Sequence, residues 1–152
     1  MTEFVSGNRI TLLRSGVAYF PALVAEIDAA QREIHLETYI YEDDVAGRTV
    51  AAALARAAQR GVATYVMVDG FGSKDLASEL IEGLRAAGVR FLVYRPNLSP
   101  WTLRRARLRR MHRKVAVIDA RVAFVGGINI IDDTNTPNHT PPRYDYAVRI
   151  DG

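Results

Sequence analysis

AAQRGVATYVMVD at residues 57–69 and RAAGVRFLVYR at residues 85–95 follow one grammar: a helix end, a glycine, a valine, then a short run rich in β-branched and aromatic side chains. A glycine in that place closes a helix through a left-handed backbone conformation that other residues resist. Repetition of helix, glycine and strand is the βαβ pattern of a parallel sheet, so an α/β fold is expected.

Upstream, Asn8 to Leu13 reads as a strand, and Val17 to Ala30 as a helix with Phe20, Leu23, Val24 and Ile27 on one face and Pro21 in its first turn. Glu33 to Tyr41 alternates like a strand, and Ala46 to Arg60 reads as a helix closed by Gly61. Val62 to Val68 is then a strand, and Lys74 to Ala87 a helix stopped by Gly88. Downstream, Arg95 to Arg110 breaks the rhythm as an exposed excursion. Met111 to Ile118 and Val122 to Val125 form a hairpin about Asp119-Ala120-Arg121. Asn129 to Arg143, with three prolines, is a loop before a last strand at Tyr144 to Ile150.

The 152 residues are 49% hydrophobic, enough for the core of one domain. With no cysteine, disulfides, thiol catalysis and cysteine-based zinc sites are excluded. Neither a signal peptide nor a run of about 18 apolar residues is present, so a soluble or peripheral chain is expected. The net charge of +3 is uneven: Arg104, Arg105, Arg107, Arg109, Arg110, Arg113 and Lys114 are seven positive charges in one stretch without an acidic residue, leaving −4 elsewhere. Such a block suits a polyanion, either nucleic acid or the phosphates of an anionic membrane, and a solvated face is the plainer reading. Trp101 beside it reads equally as an interfacial anchor or as a loop cap.

The chemistry concentrates in MHRKVAVIDARVAFVGGIN, Met111 to Asn129. Strand alternation puts His112 and Lys114 on one face and sends Val115 and Val117 into the core. Asp119, at the turn, reads as a structural partner. Gly126 and Gly127 remove bulk where an anion could approach backbone N–H groups, and the Asn129 amide adds a donor. Imidazole, ammonium and amide at a glycine-lined strand end suit a phosphodiester: the ring forms a covalent bond to phosphorus while the donors hold the non-bridging oxygens. The ring needs a carboxylate to fix its tautomer.

This stretch matches H-x-K-x4-D-x6-G-[SG]-x-N at His112, Lys114, Asp119, Gly126, Gly127 and Asn129. It resembles the phospholipase D superfamily, and the Gly-Gly pair is similar to the first motif of bacterial cardiolipin synthases. GNRITLL, LETYIYEDD, AAQRGV, VDGFGS and YDYAVRIDG extend the resemblance along the chain, most of all to members without N-terminal membrane spans. The resemblance implies a three-layer fold with a mostly parallel mixed sheet flanked by helices. It implies His112 as nucleophile, Asp145 as the carboxylate paired with it, and exchange of alcohols on phosphatidylglycerol without metal or cofactor. It also implies a cytoplasmic protein at the inner face of a bacterial membrane.

The family uses two such motifs, and this chain has one. Residues 1–152 are therefore expected to be a single domain and the N-terminal half of a two-motif enzyme, completed by a second half or by a second copy. Two other functions remain: a homodimeric phosphodiesterase or nuclease, and a non-catalytic phosphate-binding half-site. Among the remaining polar residues, Glu37 lines a pocket floor or answers an arginine. Glu42, Asp43 and Asp44 shape an acceptor site or cap the next helix. Asp69, at a strand end, contacts substrate or, more simply, is a turn residue before Gly70; His35 reads as a core histidine rather than a ligand, and His139 as an exposed residue.

Overall fold

The computed structural model describes residues 6–96, 110–136 and 140–152. Ten elements follow in order: β1 Arg9–Arg14, α1 Ser15–Ala29, β2 Glu33–Thr38, α2 Val45–Gln59, β3 Ala63–Asp69, α3 Ser78–Ala86, β4 Arg90–Tyr94, β5 Val115–Ile118, β6 Val122–Gly126 and β7 Tyr146–Asp151. Gly61 and Gly88, with φ of +90° and +99°, end α2 and α3 in the left-handed region and turn the chain directly into β3 and β4. Both βαβ units form as expected, with β2–β3 and β3–β4 parallel.

The seven strands make one mixed sheet in the order β1-β7-β6-β5-β2-β3-β4. The α/β class holds, but the sheet is not mostly parallel, because β5–β2, β5–β6, β6–β7 and β7–β1 are all antiparallel. In this antiparallel half β5 and β6 are joined by a tight turn, and β7 lies between β6 and β1. Asp119 and Ala120, with φ of +54° and +53°, make the tight turn between β5 and β6.

The three helices pack against one face of this sheet. Leu23 and Ile27 of α1 and Leu54 of α2 meet Ile34, Ile118 and Phe124, all fully buried. Each such side chain stabilises the fold by roughly 1.5–3 kcal/mol. Among the described residues no helix covers the opposite face, so the third layer of the expected three-layer arrangement is not formed by them. A cross-strand row there runs from Leu12 through Val148, Val125 and Val115 to Glu37, Met67 and Leu92. Leu12, Val125 and Leu92 on it are 64%, 40% and 53% exposed.

Four local expectations change. α1 begins at Ser15, which places Pro21 inside the helix, on its exposed side. α3 begins only at Ser78, because residues 70–77 are spent in turns held by Ser73 N–H to Asp69 and Leu76 N–H to Ser73. β5 begins at Val115, and its core-facing residues are Ala116 and Ile118, not Val115 and Val117. The run Val-Ala-Val-Ile is apolar at every position, so alternation alone could not choose its face. His35 is exposed on the open face, stacked 4.7 Å from the Tyr65 ring, and is not a core histidine. No described helix is long and apolar enough to cross a membrane.

Candidate functional site

The motif residues other than Asp119 gather where β2 and β3 end and β5 and β7 begin. Met111 N–H donates to Asp69 Oδ2 at 2.9 Å, which pins the segment entering β5 to the end of β3. Asp69 is fully buried and also accepts the Phe71 and Gly72 N–H groups through Oδ1, so it is the expected turn residue with a second duty. His112, next in the chain, is exposed, and its ring meets the edge of Tyr39 with centroids 4.8 Å apart.

Lys114 is buried to 8% exposure, Nζ standing 5.3 Å over the Tyr39 ring and donating to the His112 carbonyl at 3.3 Å. Burial pushes its ammonium below the ordinary lysine range, and the opposing charge of Asp145 restores part of that shift. His112 and Lys114 thus meet on one aromatic ring, although residues 111–114 lie outside β5 and the two side chains differ in burial. The alternation in the sequence carries β2 through Tyr41, but the strand ends at Thr38 and leaves Tyr39 beyond it. The signal available was its place just past the end of a parallel strand, where α/β sheets assemble their sites.

The glycines act differently from the anion cradle expected. Gly126 N–H donates to the Lys114 carbonyl at 3.3 Å and Gly127 N–H to the Tyr146 carbonyl at 2.8 Å, so both are committed to the backbone. Their use is steric: a β-carbon at Gly126 would strike the Tyr146–Ala147 backbone, and one at Gly127 the Asp145 carboxylate. Asp145 Oδ1 accepts the Tyr146 N–H at 2.8 Å, and the carboxylate faces Lys114 electrostatically. No hydrogen bond joins it to His112 among the described residues. Asn129 Oδ1 accepts the Ile40 N–H at 3.0 Å, which ties it to the strand end carrying Tyr39 and fixes the amide orientation.

Asp119 sits at the far end of β5, where its carboxylate accepts the N–H groups of Gln31, Arg32 and Glu33 at 2.8–3.0 Å. Burial opposes ionisation there, but the backbone donors outweigh it and hold the carboxyl below its usual range. Asp44 caps α2 through the Gly47 N–H at 2.9 Å, and Asp43 pairs with Arg48. Glu37 answers an arginine, pairing with Arg113 at 2.9 Å, and the cavity of about 440 Å³ that it lines with His35, Tyr65, Met67, Arg90 and Leu92 is separate from the motif residues. That cavity opens on the uncovered sheet face and is not lined by His112, Lys114, Asn129 or Asp145. Arg110 lies beside Asp69, while Trp101, Arg104, Arg105, Arg107, Arg109 and His139 fall outside the described residues.

Comparison with known proteins gives three results. Residues 23–140 match the family model described as "Cardiolipin synthase, PLD-like domain". Cardiolipin synthase B of Escherichia coli K12 is 46% identical over 146 residues, covering 96% of this chain and 35% of that protein. The chain therefore spans about a third of that curated relative's length. In fold it is similar to the phospholipase D family member Nuc of Salmonella typhimurium, with TM-score 0.68, 19% identity and coverage of 96% and 84% of the two chains. It is likewise similar to phosphatidylserine synthase of Haemophilus influenzae, with TM-score 0.67, 17% identity and coverage of 94% and 33%.

Proposed function

The chain belongs to the cardiolipin synthase, phospholipase D-like domain family, and from that premise we propose that it is the nucleophile-bearing N-terminal half of a bacterial phosphatidyltransferase. The observation that carries the reading is the cluster at one sheet end. An exposed imidazole and a buried ammonium share Tyr39, and a carboxylate balances the ammonium.

A lone pair on the His112 ring forms a nitrogen–phosphorus bond to the phosphodiester of phosphatidylglycerol, and the phosphorus–oxygen bond to one alcohol breaks. Lys114 and the Asn129 amide hold the non-bridging oxygens as negative charge grows. Asp145 balances Lys114 and accepts the ring N–H of His112 once substrate is bound, since such hydrogen bonds often tighten only in the loaded site. The leaving alkoxide takes its proton from an acid supplied by a second half or a second copy. A second alcohol then gives its proton to the base that the acid has become and attacks phosphorus, the nitrogen–phosphorus bond breaks, and the imidazole is restored. The basic residues leading into the motif hold the protein at the inner face of the membrane.

An activated phosphatidyl ester with a nitrophenolate leaving group tests this directly, because that group departs without protonation. The 152-residue chain should release a burst of nitrophenolate and retain the labelled phosphatidyl group, and His112→Ala should do neither. Natural phosphatidylglycerol should turn over 10²–10⁴-fold more slowly than in a complete site, the usual worth of a general acid. Label retained by the His112→Ala protein at wild-type level refutes the mechanism.

A further inference from the structure

Beside the nucleophile's segment lies a second cationic pocket. Gly70, Phe71, Lys74, Arg95, Pro96 and Arg110 line a cavity of about 140 Å³. The Arg110 guanidinium stands 5.1 Å over the Phe71 ring, with Nη1 3.7 Å from Asp69 Oδ1. That Nη1 is buried and has no hydrogen-bond partner among the described residues. Such a buried donor calls for an acceptor beyond the described residues, and a bound anion would supply one. Asp69 already accepts three backbone N–H groups, and among the described residues Lys74 pairs with exposed Asp75 at 4.0 Å. Arg95 approaches from a left-handed backbone, φ +50°, stacked 5.2 Å over Tyr94.

We propose that Lys74, Arg95 and Arg110 bind the phosphate of a second phospholipid, the one whose headgroup alcohol accepts the transferred group. The inference rests on the phosphatidyltransferase reading. When the accepting alcohol is itself carried on a phospholipid, two phosphodiesters occupy the site together, and Lys114 serves only the one that reacts. The second needs its own cations close by, and Arg110 stands two residues before His112 on a segment bonded to Asp69. Arginine forks pair with phosphate oxygens in matched geometry. Phe71, 49% exposed on the rim, offers an apolar surface to the glycerol and acyl portion of the same molecule.

Calorimetry of the 152-residue chain with a short-chain, monomeric phosphatidylglycerol reads the two sites separately. Two equivalents should bind. Lys114→Ala should remove one, and the paired change Lys74→Gln with Arg95→Gln should weaken the other by about tenfold or more. Arg110 is left intact in this test because it neighbours buried Asp69, and a thermal melt of the paired variant verifies its fold. A single equivalent, lost with Lys114→Ala and untouched by the pair, overturns the pocket while leaving the transferase reading standing. Binding lost with the pair but indifferent to Lys114→Ala supports the pocket and counts against Lys114 as the phosphate clamp. Inorganic phosphate that binds through Lys74 and Arg95 where phosphatidylglycerol does not overturns the lipid assignment, and so does absence of any binding.

Discussion

The Asp145 carboxylate rests against the bare Cα of Gly127, where a β-carbon would stand 2.7 Å from the Asp145 Cγ. Gly127→Ala should therefore displace the carboxylate from Lys114. We expect nitrophenolate release from the activated ester to fall by about 10²-fold, the scale of a misplaced catalytic group. Overpacking should cost about 1–3 kcal/mol in a denaturant melt. Release at the wild-type rate would mean that the close fit serves packing alone.

Lys114 gives the site a pH dependence of defined sign. Its folded-state pKa is lowered, so burying the protonated form opposes folding below that pKa, and the penalty fades as pH rises through it towards the unfolded value. Phosphate clamping needs the charged form, so the alkaline limb of activity should lie below the ordinary lysine range. Asp145→Asn removes the one opposing influence and should move that limb to lower pH as well as reduce turnover. A rate–pH profile of both proteins decides it, and coincident alkaline limbs would separate Lys114 from Asp145.

Asp119→Ala should destabilise the chain by about 1–3 kcal/mol near neutral pH, because three backbone N–H groups lose a charged acceptor. Its folded-state pKa is depressed, so the stabilisation is present above the unfolded carboxyl value and disappears as pH falls through the folded one. Melting curves of mutant and parent should converge in acid. Activity per folded molecule should be unchanged, since β5 separates Asp119 from Lys114.

Tyr39 acts through its ring, which touches both His112 and Lys114. Tyr39→Leu should lower the burst rate about threefold to tenfold, the scale of an aromatic contact with an ammonium and an imidazole. Tyr39→Phe should keep most of it. Equal loss in both variants would move the role to the hydroxyl.

Local grammar made much of this legible. Gly61 and Gly88 announce two helix ends and the parallel strands behind them, and the spacing from His112 to Asn129 marks out the candidate site. What stayed hidden depends on contacts between distant segments. Tyr39 reaches His112 because Asn129 holds Ile40 and because the Ser73 hydroxyl donates to the Tyr39 carbonyl, and no periodicity encodes such ties. The faces of β5 were ambiguous because its four residues are all apolar. Gly126 and Gly127 advertised space without saying whether a ligand or Asp145 would fill it.

The sheet face that no described helix covers would make the stability of this chain a shared property. Leu12, Val125 and Leu92 meet water there, and an apolar surface of this kind tends to find a partner. Anything that covers the folded face and ignores the unfolded chain adds RT ln(1 + [L]/Kd) to the unfolding free energy. The melting temperature of the isolated chain should then depend on its concentration and on added detergent, and a single intrinsic value would not describe it. Variants of the site compare fairly only at matched concentration and matched association state.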